Sequence, residues 1–95
     1  MSILHLVRTS AFGSENLKSA LNTATENDAF ILLDDGCYCV HHPLLNNDVL
    51  ARYAFSVIDE HIEARAITPP ASIQVISVDT LIELTFTHSK VMTWQ

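Results

Sequence analysis

The sequence predicts an α/β fold: a single Rossmann-like domain with a sheet of about four mainly parallel strands and helices on both faces. Three observations carry this prediction. Short apolar runs alternate with segments of helical periodicity, the pattern of a parallel sheet covered by helices. The run Ala29-Phe30-Ile31-Leu32-Leu33 lacks polar alternation, as a strand buried on both faces does. The 95 residues leave room for one compact domain, residues 1–95, and none for a second.

The first strand is predicted over Ile3 to Val7. After a loop containing Gly13, Ser14 is placed to cap a helix in which Leu17, Ala20, Leu21 and Ala24 recur at i, i+3, i+4 and i+7. Asn27 and Asp28 turn the chain into the second strand, Ala29 to Leu33, and Asp34-Asp35-Gly36 ends it. Cys37 to Val40 reads as either a short strand or irregular structure, and Pro43 closes it ahead of a modest helix around Asp48 to Arg52. Tyr53 to Ile58 is the third strand. Asp59 follows as the expected N-cap of a helix, with Glu60 and Glu63 toward the positive end of its dipole, and Thr68-Pro69-Pro70 breaks that helix. Ile73 to Ser77 gives the fourth strand. Asp79 is placed to cap a last helix with apolar positions at Leu81, Leu84 and, if the helix runs long, Val91.

Hydrophobic residues make up 48% of the chain and charged ones 17%, against about 25% charged in an ordinary soluble domain. A domain this small cannot bury so much apolar surface by itself. The surplus predicts a sheet covered on both faces and contact with another subunit. The net charge of −6 and the scatter of Arg8, Lys18, Arg52, Arg65 and Lys90 argue against direct binding to nucleic acid or to an acidic membrane. Partners are therefore expected to be proteins. The apolar run near the N-terminus is stopped by Arg8 and is too short for a signal-peptide core, and nothing approaches the length of a membrane span. With only Cys37 and Cys39, two residues apart, a disulfide framework is not expected and a cytoplasmic location fits.

Gly13 and Gly36 are the only glycines, too few for a P-loop or a dinucleotide fingerprint, and no nucleophile elbow is present. No cofactor is expected. The dense cluster of reactive groups is Cys37, Cys39, His41 and His42, on the side where open α/β sheets place their ligands. Three readings stay open for it. As a metal site, the ligand types suit zinc, but the spacing is tighter than the usual two to four residues between ligands. As a sulfur carrier, Cys37 or Cys39 would need thiolate character, which Asp34 and Asp35 oppose and which His41 and His42 aid only if protonated or within reach. As packing residues, the thiols would be small buried apolar groups. His5 within a strand and His88 near a helix end read as rings bonded to backbone, His61 as a solvated helix residue, and Trp94 as a plug against its own domain or a neighbour.

Four segments in series resemble one family. They are Leu4-His5 with Arg8-Thr9-Ser10; Ile31-Leu32-Leu33-Asp34-Asp35-Gly36; Asp59 to Arg65; and Asp79-Thr80-Leu81-Ile82-Glu83-Leu84-Thr85 followed by His88, Lys90-Val91 and Trp94. Together they are similar to the DsrH/TusB family over essentially the whole chain. The resemblance implies a DsrE-type fold and a place in a heterohexamer with TusC-like and TusD-like subunits. Such a complex takes persulfide sulfur from a TusA-like donor, passes it to a TusE-like acceptor and so serves 2-thiolation of the wobble uridine of tRNA. The resemblance further implies that the sulfur-carrying cysteine belongs to the TusD-type subunit, so that this chain is a non-catalytic builder of the assembly. Lys18-Ser19-Ala20-Leu21 offers no cysteine where the DsrH branch carries one, Ala66 stands where a glycine commonly follows the arginine, and Cys37 and Cys39 match no family cysteine. The alternatives are a persulfide carrier using Cys37 or Cys39, as in DsrEFH-like sulfur trafficking, and a small metal-binding module of Cys37, Cys39, His41 and His42. Val91 and Trp94 are the expected interface residues, and a homo-oligomer is the expectation for the isolated chain.

Overall fold

The computed structural model describes residues 2–95. Five parallel strands form one sheet in the order β4-β3-β2-β1-β5, with β1 at Ile3–Val7, β2 at Ala29–Leu32, β3 at Ala54–Ile58, β4 at Gln74–Ile76 and β5 at Lys90–Trp94. Strands β1 to β4 march one way across the sheet. The chain then crosses back to place β5 on the far side of β1, so its connecting helix lies on the opposite face, as right-handed crossovers require.

Helices α1 (Asn16–Thr23), α2 (Asn47–Arg52) and α3 (Asp59–Ala64) cover one face. There Leu17 and Ala20, Val49 and Leu50, and Ile62 pack on Val7, Phe30, Leu32, Phe55 and Val57. Among the described residues helix α4 (Val78–Thr87) is the one helix on the other face, through Leu81 and Leu84 on Leu4, Ile31, Ile58 and Ile76. Both faces of β2 are thus buried, which is why its sequence shows no alternation.

Several expectations are corrected. The sheet has a fifth strand: Val91 lies in β5, not in a prolonged last helix. The helix stops because Thr87 Oγ1 and His88 Nδ1 both bond the Leu84 carbonyl, and the β-branched Val91 and Thr93 then find the open edge of β1. Cys37 to Val40, read as a short strand or irregular structure, lies within a 3₁₀ segment, Asp34–His41. Its entry is set by Asp34 at φ 52°, a left-handed conformation that asparagine and aspartate tolerate. Asp59 is the first residue of α3 rather than its cap, and Ser77, not Asp79, caps α4 by accepting from the Thr80 N–H at 3.2 Å. The N-cap of α1 is Glu15 rather than Ser14, although the Ser14 hydroxyl one residue earlier accepts from the Asn16 N–H at 3.0 Å. Ala66 ends α3 at φ 52°, taking the left-handed conformation without a glycine.

Candidate functional site

The cluster singled out in the sequence is not assembled in space. Within the 3₁₀ segment the side chains of Cys37 and Cys39 are fully buried, whereas His41 is exposed and His42 is half-buried. Each thiol is spent on a main-chain carbonyl: Cys37 Sγ donates to Leu32 O and Cys39 Sγ to Thr9 O, both at 3.5 Å. His42 turns away, accepting from the Leu44 N–H through Nδ1 at 3.1 Å and meeting the edge of Phe12. Among the described residues no group of three or more His, Cys, Asp or Glu side chains converges as a metal site would require.

Burial decides the protonation of the thiols. It pushes Cys37 up to about 11, with Arg65 pulling the other way and Asp34 adding to the rise. It raises Cys39 as well, against weaker hydrogen bonds that lower it. The nucleophilic form, the thiolate, is therefore disfavoured at both positions near neutral pH.

At the carboxyl ends of the strands the charged residues pair off. Arg8 donates to Asp34 at 2.8 Å, and Arg65 donates to Asp35 at 3.2 Å. His61 is not a free helix residue: its Nδ1 accepts from the Asp34 N–H at 3.0 Å and so fixes the left-handed turn that leaves β2. Beside these pairs lies an open depression of about 340 Å³ lined by Thr9, Ser10, Gly13, Ser14, Asp35 and Tyr38. With both neighbouring guanidinium groups already matched to carboxylates, it has no free cation among the described residues with which to hold an anion.

One polar arrangement escaped the sequence reading. His5 is wholly buried, and its Nε2 lies 2.8 Å from Asp28 Oδ2 while its Nδ1 lies 3.0 Å from Trp94 Nε1. An indole N–H can only donate, so Nδ1 is the acceptor and Nε2 carries the proton given to Asp28. The ring stacks on Phe30 with centroids 4.7 Å apart. Asp28 also accepts from the Ile3 N–H, the Thr25 N–H and the Thr25 hydroxyl. Burial alone would raise its carboxyl, but the bonds from His5, Ile3 and Thr25 outweigh burial and hold it below the ordinary carboxylate value. The arrangement ties β5 to β1 and to the turn before β2. The signal in the sequence was a histidine in an otherwise apolar strand together with an aspartate immediately before the strand that pairs with it.

Trp94 is thus turned onto its own domain and half-buried there, while Val91 stays exposed. The largest apolar exposure lies on α4. Val78, Ile82 and Phe86 are 39%, 51% and 84% exposed, and their spacing of four places them in one row. Val91 pairs with Leu4, which packs under α4, so it lies on the same side of the sheet. No helix among the described residues is long and apolar enough to cross a membrane.

Comparison with known proteins agrees with this architecture. No curated protein matches the chain. Among solved structures, the solution NMR structure of protein Tm0979 from Thermotoga maritima superposes with a TM-score of 0.65 at 19% identity, over 92% of this chain and 93% of that one. That likeness establishes a shared fold. A family model described as DsrH like protein matches residues 9–91, most of the sequence. On that match, the chain belongs to the DsrH-like protein family.

Proposed function

We propose that this chain is a non-catalytic, assembly-building subunit of a sulfur-relay complex of the TusBCD type, which passes persulfide sulfur toward 2-thiolation of the wobble uridine of tRNA. The observation that carries the reading is the row Val78, Ile82 and Phe86, an apolar helix face open to solvent on a chain with few charges to spare. An aromatic side chain as exposed as Phe86 is costly to leave in water and is the kind of anchor that dominates protein interfaces. The closed thiols support the same reading. A carrier cysteine must reach donor and acceptor as a thiolate, and Cys37 and Cys39 are buried and held protonated. Membership of the DsrH-like family supplies the sulfur-relay context.

Co-expression with TusC-like and TusD-like subunits is expected to yield a stable complex. Ile82→Asp with Phe86→Asp should remove this chain from it while leaving the melting temperature of the isolated chain within about 2 °C, because both side chains are exposed. A complex that survives the double substitution intact would count against α4 as the docking face.

A further inference from the structure

Within α4 itself the rim of the apolar row is acidic. Asp79 and Glu83, both exposed, stand one residue on from Val78 and Ile82, and α4 carries no lysine or arginine. Two such helices packed on each other would bring carboxylates together with no cation of α4 between them, an unfavourable like-charge contact. The same molecule bears the complementary surface. Between α1 and α2 lies a groove of about 310 Å³ whose floor includes the half-buried Leu21, Leu44 and Val49 and whose edge carries Lys18 and Arg52. Among the described residues neither cation makes an ion pair, whereas Arg8 and Arg65 are both paired. Apolar row meets apolar floor, and two carboxylates meet two free cations.

The groove lies on the face of the sheet covered by α1 and α2, and α4 lies on the other. One chain therefore cannot satisfy both within itself. We infer that the α4 row of one copy docks in the α1–α2 groove of a second copy, giving a head-to-tail association with Phe86 and Ile82 as anchors and Asp79 and Glu83 facing Lys18 and Arg52. This inference rests on the reading of α4 as a docking face and names a second copy as its occupant in the isolated chain, where the sibling subunits are absent. The contact is heterologous, so copies add in a row unless the rotation closes a ring. A single helix in a groove buries less than a stable obligate interface does, so the association is weak and concentration-dependent.

Sedimentation velocity of the purified full chain over a wide concentration range tests it. The wild type is expected to associate beyond a dimer. Asp79→Lys with Glu83→Lys should weaken association at least about tenfold, although it brings the net charge from −6 to −2 and so relieves general repulsion. Lys18→Glu with Arg52→Glu should weaken it similarly, and a chain carrying all four reversals should associate again. A wild type that stays monomeric, an acidic-rim reversal that leaves association unchanged or stronger, or a fourfold variant that fails to recover it would overturn the inference. If the monomeric wild type still entered the complex with TusC-like and TusD-like subunits through Ile82 and Phe86, only self-docking would be lost. If that entry failed too, the reading of α4 as a docking face would fall with it.

Discussion

Gly36→Ala is expected to cost about 3 kcal/mol or more in folding free energy, a large share of the roughly 5–15 kcal/mol that holds a small domain together. The cause is backbone meeting backbone. A Cβ on Gly36 would fall on the carbonyl oxygen of Val7 and 2.8 Å from its carbonyl carbon. That carbonyl is itself engaged, accepting from the Leu33 N–H at 3.1 Å, while the Gly36 N–H donates to Leu33 O at 2.9 Å. The end of β1, the exit of β2 and the start of the 3₁₀ segment are therefore locked together, and none can retreat without breaking a ladder bond. Gly13 is the control, since a Cβ there meets nothing within 4 Å. Urea denaturation of both alanine variants should show a large fall for Gly36→Ala and a change within about 0.5 kcal/mol for Gly13→Ala. Equal effects would mean that the close approach does not exist.

The second large effect belongs to Asp28. Asp28→Ala would strip the buried His5 Nε2–H of its acceptor and leave the Ile3 and Thr25 N–H groups unpaired, at an expected cost of about 3 kcal/mol. The effect depends on pH with a defined sign. The folded carboxyl sits below its ordinary value of 3.8, so its contribution is fully present above that value and is lost as pH falls through the folded value. Wild-type stability should therefore drop in the region below about pH 4, where the unfolded carboxylate begins to bind protons. An Asp28→Asn variant should lose stability at pH 7 yet show a flatter profile across that acid region. A parallel profile in the two proteins would remove Asp28 as the source.

Much of this fold was legible because local patterns agreed with the tertiary outcome. The unbroken apolar run Ala29–Leu32 gave a central strand, and the Leu17, Ala20 and Leu21 spacing gave a helix on its face. The fifth strand was hidden because Lys90–Trp94 follows a helix by only two residues and takes its strand state from pairing with β1, most of the chain away. The cap of α4 was misplaced by two residues because Ser77 and Asp79 are equally good capping types, and only the backbone turn at Ser77 selects between them. At the candidate site, short sequence distance was a poor guide. Cys37, Cys39, His41 and His42 are near neighbours in the chain, yet the tight 3₁₀ winding sends thiols inward and His41 outward. His5, Asp28 and Trp94 are scattered in sequence and meet only because β1 lies between β2 and β5. The exposed row on α4 was foreshadowed by composition, which called for surface to be covered, but its position emerged only once Leu81 and Leu84 were seen to take the inner side.

A chain that builds the relay without carrying its sulfur should tolerate loss of both thiols and not loss of its open helix face. Wobble-uridine 2-thiolation, measured by nucleoside mass spectrometry in cells deleted for this chain, separates the two roles directly. Restoring the chain as Cys37→Ala with Cys39→Ala is expected to return thiolated tRNA to the wild-type level, whereas Ile82→Asp with Phe86→Asp is expected to leave it at the level of the deletion. Full rescue by the α4 variant and none by a stably folded thiol-free variant would contradict the account.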